Sequence, residues 1–184
     1  MFKHLLTSVA CLGLLASCGH GDKETTEKAA AAAPTGKSVM AKIMPKSGNT
    51  TLNGAAKVVE KGEYLVLVAK ITGLKPNTTH GFHIHEKGDC SADDAKSAGG
   101  HFAPAGNKHG AYEEASRHAG DLGNIKSNAQ GVAVVKRKLL GLNMKKKGDY
   151  SVVGRAVVVH EKADDLKSQP SGAAGARIGC GVLK

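Results

Sequence analysis

Seven side chains constrain this chain more than any other feature: His83, His85, His101, His109, His118, Asp121 and His160. Six imidazoles and one carboxylate are spaced to hold two metal ions. Two four-coordinate sites need eight donor positions, so one of the seven residues must serve twice. An imidazole can do so, because each ring nitrogen can face a different ion once both are deprotonated. His101 is the natural bridge, since it lies between the His83-Ile84-His85 triplet and the run of His109, His118 and Asp121.

The pattern around these donors is β. Segments 38–46, 50–59, 63–72, 81–86, 122–126, 132–139, 149–159 and 176–183 read as strands, divided by Gly-containing turns such as Ser47-Gly48-Asn49 and Lys61-Gly62. Helical periodicity is essentially missing. Segments 87–120 and 161–175 lack strand character and flank the donors, and long loops in a compact domain usually carry function. The expected fold is all-β: an eight-stranded Greek-key β-barrel or sandwich, immunoglobulin-like, with two long functional loops.

His83 and His85 are two apart on a strand and so share a face, while Ile84 points the other way into the core. His160 ends the apolar run Val-Val-Gly-Arg-Ala-Val-Val-Val-His, from which a side chain can reach a site beside the sheet. With His101 these make an all-imidazole set suited to Cu(II). His101, His109, His118 and Asp121 form a second set within one loop, suited to structural Zn²⁺, and an ion there would order a loop that is otherwise costly to order. A redox metal beside a redox-inert one implies chemistry at the first and positioning by the second. His80 is expected to be a structural hydrogen-bonding histidine, and Lys145-Lys146-Lys147 a solvated loop.

The N-terminus bounds the compartment. Lys3 precedes a short apolar run that ends in Leu15-Ala16-Ser17-Cys18, and the run is too short to span a bilayer. It reads as a signal segment, 1–17, with a lipobox that leaves Cys18 acylated. Residues 18–36 hold almost no large apolar group and read as a tether, and 37–184 as the domain. Cleavage before Cys18 removes Lys3 and no acid, so the net charge falls from +10 to +9. Cys90 and Cys180 remain, an even pair that reads as one disulfide in an exported protein. The expected location is the bacterial cell envelope: the periplasm, held at the membrane through Cys18. Aromatic content is 3% and Trp is absent, so stacking platforms for nucleic acid are not expected.

Six motifs carry a resemblance: Gly81-Phe-His-Ile-His-Glu86, Gly99-Gly-His-Phe-Ala-Pro104, Lys108-His-Gly110, Arg117-His-Ala-Gly-Asp-Leu-Gly-Asn124, Val157-Val-Val-His-Glu-Lys-Ala-Asp-Asp-Leu166 and Ala176-Arg-Ile-Gly-Cys-Gly-Val182. Over about residues 38–184 the chain resembles the copper/zinc superoxide dismutases, and its leader resembles that of their bacterial exported lipoprotein branch. The resemblance implies one copper per subunit on His83, His85, His101 and His160, and one zinc on His101, His109, His118 and Asp121. His101 would be the bridging imidazolate. It implies that Arg177 guides the anion near copper, that Asp164 links histidines of the two sites, and that Cys90 and Cys180 pin the metal loop to the barrel. The implied substrate is superoxide, converted to O₂ and H₂O₂ as copper cycles Cu(II)/Cu(I). The implied role is protection of the envelope, by a monomer or homodimer. Two other readings are a metal buffer without turnover, against which Arg177 argues, and an envelope binding module supported by charge alone.

Overall fold

The computed structural model describes residues 36–146 and 148–184. The expected signal segment, Cys18 and the tether as far as residue 35 lie outside the described residues. Eight strands form: β1 (Ser38–Pro45), β2 (Asn53–Lys61), β3 (Tyr64–Thr72), β4 (Thr79–His85), β5 (Asp121–Lys126), β6 (Ala133–Leu139), β7 (Ala156–His160) and β8 (Arg177–Val182). Their order is β5-β4-β7-β8-β1-β2-β3-β6, and every pairing is antiparallel. Two four-stranded sheets result, joined where Met44 and Pro45 of β1 meet Cys180 and Gly179 of β8. The fold is thus all-β and a nearly closed barrel.

Side chains close the seam between β5 and β6. The Arg137 guanidinium on β6 donates to the carbonyls of Leu122 (2.8 Å) and Asn124 (2.9 Å) on β5. Tyr112 covers the joint, its hydroxyl bonded to the Lys138 backbone and its ring centre 5.1 Å from both Arg117 Cζ and Arg137 Cζ. These contacts satisfy strand edges that would otherwise stay open.

The period of two decides what fills the barrel. Ala41 and Ile43 on β1, Leu65, Leu67, Ala69 and Ile71 on β3, Phe82 and Ile84 on β4, and Val157 and Val159 on β7 form one core. The alternate residues of β4 and β7, among them His83, His85, Val158 and His160, point out of the barrel and are buried all the same. Loops 87–120 and 161–175 cover them. A strand buried on both faces loses its polar alternation, which is why β7 reads as an unbroken apolar run.

Several boundaries differ from expectation, β2 among them (Asn53–Lys61 rather than 50–59), and two bear on the site. The last apolar run, 149–159, is strand only from Ala156. Gly154 adopts φ 77°, a left-handed conformation that interrupts the pleat, and Arg155 folds over the Phe102 ring at 4.3 Å while bonding the carbonyls of Glu86 and Ser151. At the other boundary, β4 begins at Thr79 rather than residue 81, because Thr79 and His80 pair with Lys126 and Ile125. Loop 87–120 is anchored as well as long. It holds a 3-10 turn, Lys96–Ala98, and a lone bridge between His101 and His85.

Candidate metal centre

All seven donors converge on the outer face of the β5-β4-β7-β8 sheet. His83 and His85 stand on β4, His160 ends β7 beside them, and His101 is held against β4 by its bridge to His85. The His83 and His101 ring centres are 4.0 Å apart. Donor atoms of His83, His85, His101 and His160 all lie within 4.8 Å of one another, and so do those of His101, His109, His118 and Asp121. His101 belongs to both groups.

The partner of each ring shows which nitrogen is left bare. His83 Nε2 faces Asp164 Oδ2 at 2.7 Å, His85 Nδ1 faces the Gly99 carbonyl at 3.0 Å, and His160 Nδ1 faces the Gly175 carbonyl at 3.3 Å. Carboxylates and carbonyls only accept, so in a neutral ring the nitrogen facing each carries the hydrogen. His83 Nδ1, His85 Nε2 and His160 Nε2 remain, together with His101 Nε2. All four are buried without a hydrogen-bond partner. Buried polar atoms are rarely left so, and four convergent bare imidazole nitrogens are what a cation needs.

The second group gathers around one oxygen. Asp121 Oδ1 lies 2.7 Å from His101 Nδ1, 3.0 Å from His109 Nδ1 and 3.3 Å from His118 Nδ1. The His109 contact lacks hydrogen-bond direction, and that nitrogen is also without a partner. Donors about 2.0–2.1 Å from one tetrahedral ion stand roughly 3.3 Å apart. The His118 contact matches such an edge and the His109 contact approaches it, whereas the His101 contact has hydrogen-bond length. Asp121 Oδ2 is kept in place by the backbone N–H of Gly110 (3.1 Å) and His118 (3.0 Å).

Asp164 ties the groups together. Its Oδ2 accepts from His83, and its Oδ1 lies 2.9 Å from His109 Nε2. Three residues that sequence reasoning did not single out hold this bridge. The Asn124 side-chain amide on β5 bonds Asp164 both ways, accepting from its N–H (2.8 Å) and donating to its carbonyl (2.9 Å). Gln169 does the same for His109, at 2.9 Å in each direction. Gly172, at φ 64°, leaves room for the carboxylate, since a Cβ there would lie 1.8 Å from Asp164 Oδ1. Asn124 closes one of the quoted motifs, so its place was visible. Gln169 and Gly172 sit in a loop with no periodic signal.

Burial, then the charge of His101, holds the His83 and His85 rings well below the ordinary imidazole range. The same two causes bring His160 down to about 4. These rings are thus neutral, as ligands must be. Burial also pulls at His109, but Asp164 and Asp121 outweigh it, and its value is raised. Burial would raise Asp121, yet the surrounding histidines, His101 first, hold it below the usual carboxylate range.

Arg177 pairs with His160 across β7 and β8, and donates to the Ala95 carbonyl at 2.8 Å. It lines a hollow of about 240 Å³ with Ser47, Asp94, Lys96, Gly175 and Ala176. Its charge opposes protonation of both His85 and His160, so it stands electrostatically next to the all-imidazole group. Cys90 and Cys180 are bonded, tying loop 87–120 to β8 just beyond Arg177. His80 is structural, as expected: its Nδ1 lies 2.9 Å from the His160 carbonyl. Lys145 and Lys146 are exposed.

Comparisons with known proteins show the family. The family model described as copper/zinc superoxide dismutase matches residues 52–183, more than half of the chain. An extracellular superoxide dismutase [Cu-Zn] of Caenorhabditis elegans is 43% identical over 142 residues, which are 73% of this chain and 62% of that protein. A superoxide dismutase [Cu-Zn] of Aquifex aeolicus is 40% identical over 134 residues, 71% of this chain and 78% of the relative. Among solved structures, a double mutant of a SOD-like protein from Bacillus subtilis superposes with TM-score 0.70 at 36% identity, covering 78% of this chain and 95% of that one. The clock protein EA4 superposes with TM-score 0.71 at 34% identity, covering 81% and 94%.

Proposed function

The chain belongs to the copper/zinc superoxide dismutase family, and from that premise we propose how its own residues perform the reaction, 2 O₂⁻ + 2 H⁺ → O₂ + H₂O₂. His83 Nδ1 with the Nε2 atoms of His85, His101 and His160 would hold the copper. The Nδ1 atoms of His101, His109 and His118, with Asp121 Oδ1, would hold the zinc. When bound, copper supplies a one-electron Cu(II)/Cu(I) couple, and zinc supplies fixed charge and order. The observation that carries this reading is the set of bare, buried nitrogens converging from β4, β7 and loop 87–120.

The remaining work falls to the protein. Arg177 attracts the anion into the hollow beside His160 and orients it by hydrogen bonding. With its Nδ1 committed to the zinc group, His101 has only Nε2 left to take up a proton, and it can carry one only while it does not hold copper. Asp164 fixes the rings of His83 and His109 at once, so the two groups keep one geometry. The loops over the centre exclude bulk water while leaving Arg177 partly exposed.

The same reading gives the chain an exported setting. Residues 1–17 are a signal segment, Cys18 carries the lipid, the tether runs to residue 36, and the domain acts against superoxide in the cell envelope. Support comes from the Leu15-Ala16-Ser17-Cys18 sequence, from the disulfide and from the extracellular relative. Labelled fatty acid incorporated equally by the parent and by Cys18→Ser would refute the anchor.

Paired substitutions test the metal assignment. His85→Ala should abolish superoxide decay and retain zinc, because His85 belongs to the all-imidazole group alone. Asp121→Ala should release zinc, because three neutral imidazoles then lack their carboxylate. Metal analysis together with a decay assay decides. Parent-like decay by copper-loaded His85→Ala, or full zinc in Asp121→Ala, would overturn the assignment.

A further inference from the structure

The sheet that carries no metal donor has a face of its own. On the outer side of β1-β2-β3-β6 the ladder aligns Met40, Lys57, Val68 and Lys136 in one row, and Lys42, Ala55, Lys70 and Val134 in the next. Lys138 extends the first line of cations along β6. These five lysines share the face with Lys61 at the end of β2, and no outward position of the four strands holds a carboxylate. Among the described residues none of the five has an ion-pair partner.

Lysines alone would be an ordinary solvated surface, useful against edge aggregation. The side chains between them are not ordinary. Val134 is 70% exposed, Met40 53%, Met44 44% and Val68 42%. Flexible cations interleaved with exposed aliphatic groups match a bilayer interface, where ammonium groups meet anionic headgroups and short apolar chains enter the acyl boundary. A soluble polyanion would use the cations and leave the aliphatic groups in water. We propose that the outer face of β1-β2-β3-β6 is a docking surface for an anionic lipid bilayer.

Topology supports the orientation. The metal donors lie on the outer face of the opposite sheet, across the barrel core, so docking leaves Arg177 and its hollow facing the aqueous side. The 35 residues preceding the described ones join the domain at the start of β1, a strand of the docking sheet. The proposal does not depend on the metal assignment.

The test uses the metal-loaded full-length chain carrying Cys18→Ser, so that acylation does not mask weaker contacts. Vesicles of equimolar phosphatidylcholine and phosphatidylglycerol should sediment this protein at low salt, and vesicles of phosphatidylcholine alone should not. Adding Lys42→Glu, Lys70→Glu and Lys136→Glu should weaken binding by on the order of a hundredfold, with metal content and thermal midpoint unchanged. Val68→Ser with Val134→Ser, at constant charge, should also weaken it several-fold. Equal binding by the parent and the triple variant would overturn the proposal. So would an unchanged affinity in the Val68→Ser, Val134→Ser variant, especially with equal capture by soluble polyphosphate, since the face would then read charge alone.

Discussion

At the scale of single residues the centre is governed by which ring nitrogen is spoken for. A carbonyl or carboxylate claims one nitrogen of His83, His85 and His160 and leaves the other bare, with no freedom for the ring to flip. This has a consequence for the metal-free protein. An unfolded imidazole takes up a proton below about pH 6.5. In the fold, His83, His85 and His118 resist protonation, chiefly through burial, and His160 resists it down to about 4. The unfolded state therefore binds more protons between those values, and stability should fall as pH drops from about 6.5 toward 4. His109 opposes the trend. Its raised value contributes stability at low pH that is lost as pH rises through that value. With four rings against one, the urea midpoint of the chelated protein should be lower at about pH 4.5 than at pH 7. A higher midpoint at the acid end would mean that the Asp164–His109 pair outweighs the buried rings.

At the scale of elements, the two loops act as walls whose positions are set by a few ties. Loop 161–175 approaches the donors closely only because Gly172 has no Cβ to collide with the Asp164 carboxylate. Gly172→Ala should displace Asp164 from His83 and His109 and loosen both metal groups. The expected outcome is faster zinc release to a chelator and lower activity, with the disulfide intact, and parent-like zinc retention would show that the loop can yield. Loop 87–120 is tied by Cys90–Cys180, which closes 90 residues of chain. The chain-entropy model values a loop of that length at about 4–5 kcal/mol. The same stretch of loop accepts the Arg177 hydrogen bond through the Ala95 carbonyl. Cys180→Ser should therefore lower the thermal midpoint by many degrees and also reduce turnover at temperatures where the domain stays folded. A variant that is destabilised but turns over at the parent rate would separate the bond from Arg177.

At the scale of the whole molecule, charge is distributed by face. The formal charge is +10, and the two sheets use their cations differently. Near the donors, Arg177 and Lys96 line one hollow with Asp94 opposing them. Arg177→Glu should slow superoxide decay more than Arg177→Ala does, because reversal repels the anion where deletion only stops attracting it. The difference should shrink as salt rises and screening shortens the reach of the field. Equal rates for both variants and the parent at low ionic strength would reduce Arg177 to a surface residue. The lysines of β1-β2-β3-β6 lie across the core, so they bear on where the molecule sits more than on how it turns over.

The sequence by itself determined the β class, the number of strands, the two long loops and the seven candidate donors, with His101 common to both groups. These are written in local pattern: period-two alternation, Gly-containing turns, and His-x-His on one strand face. The start of β7 was not legible, because a left-handed Gly154 in an apolar run looks like any other glycine until its neighbours are placed. Gln169, Gly172 and the carbonyls of Gly99 and Gly175 were also hidden. Their roles arise from contacts between segments far apart in the chain, and a backbone carbonyl has no letter in a sequence. Only the tertiary structure decided which nitrogen of each ring is bare, how Asp164 spans the two groups, and that lysines of four separate strands, none in an ion pair among the described residues, share one face. Each depends on register and loop packing, quantities set by the closed barrel as a whole.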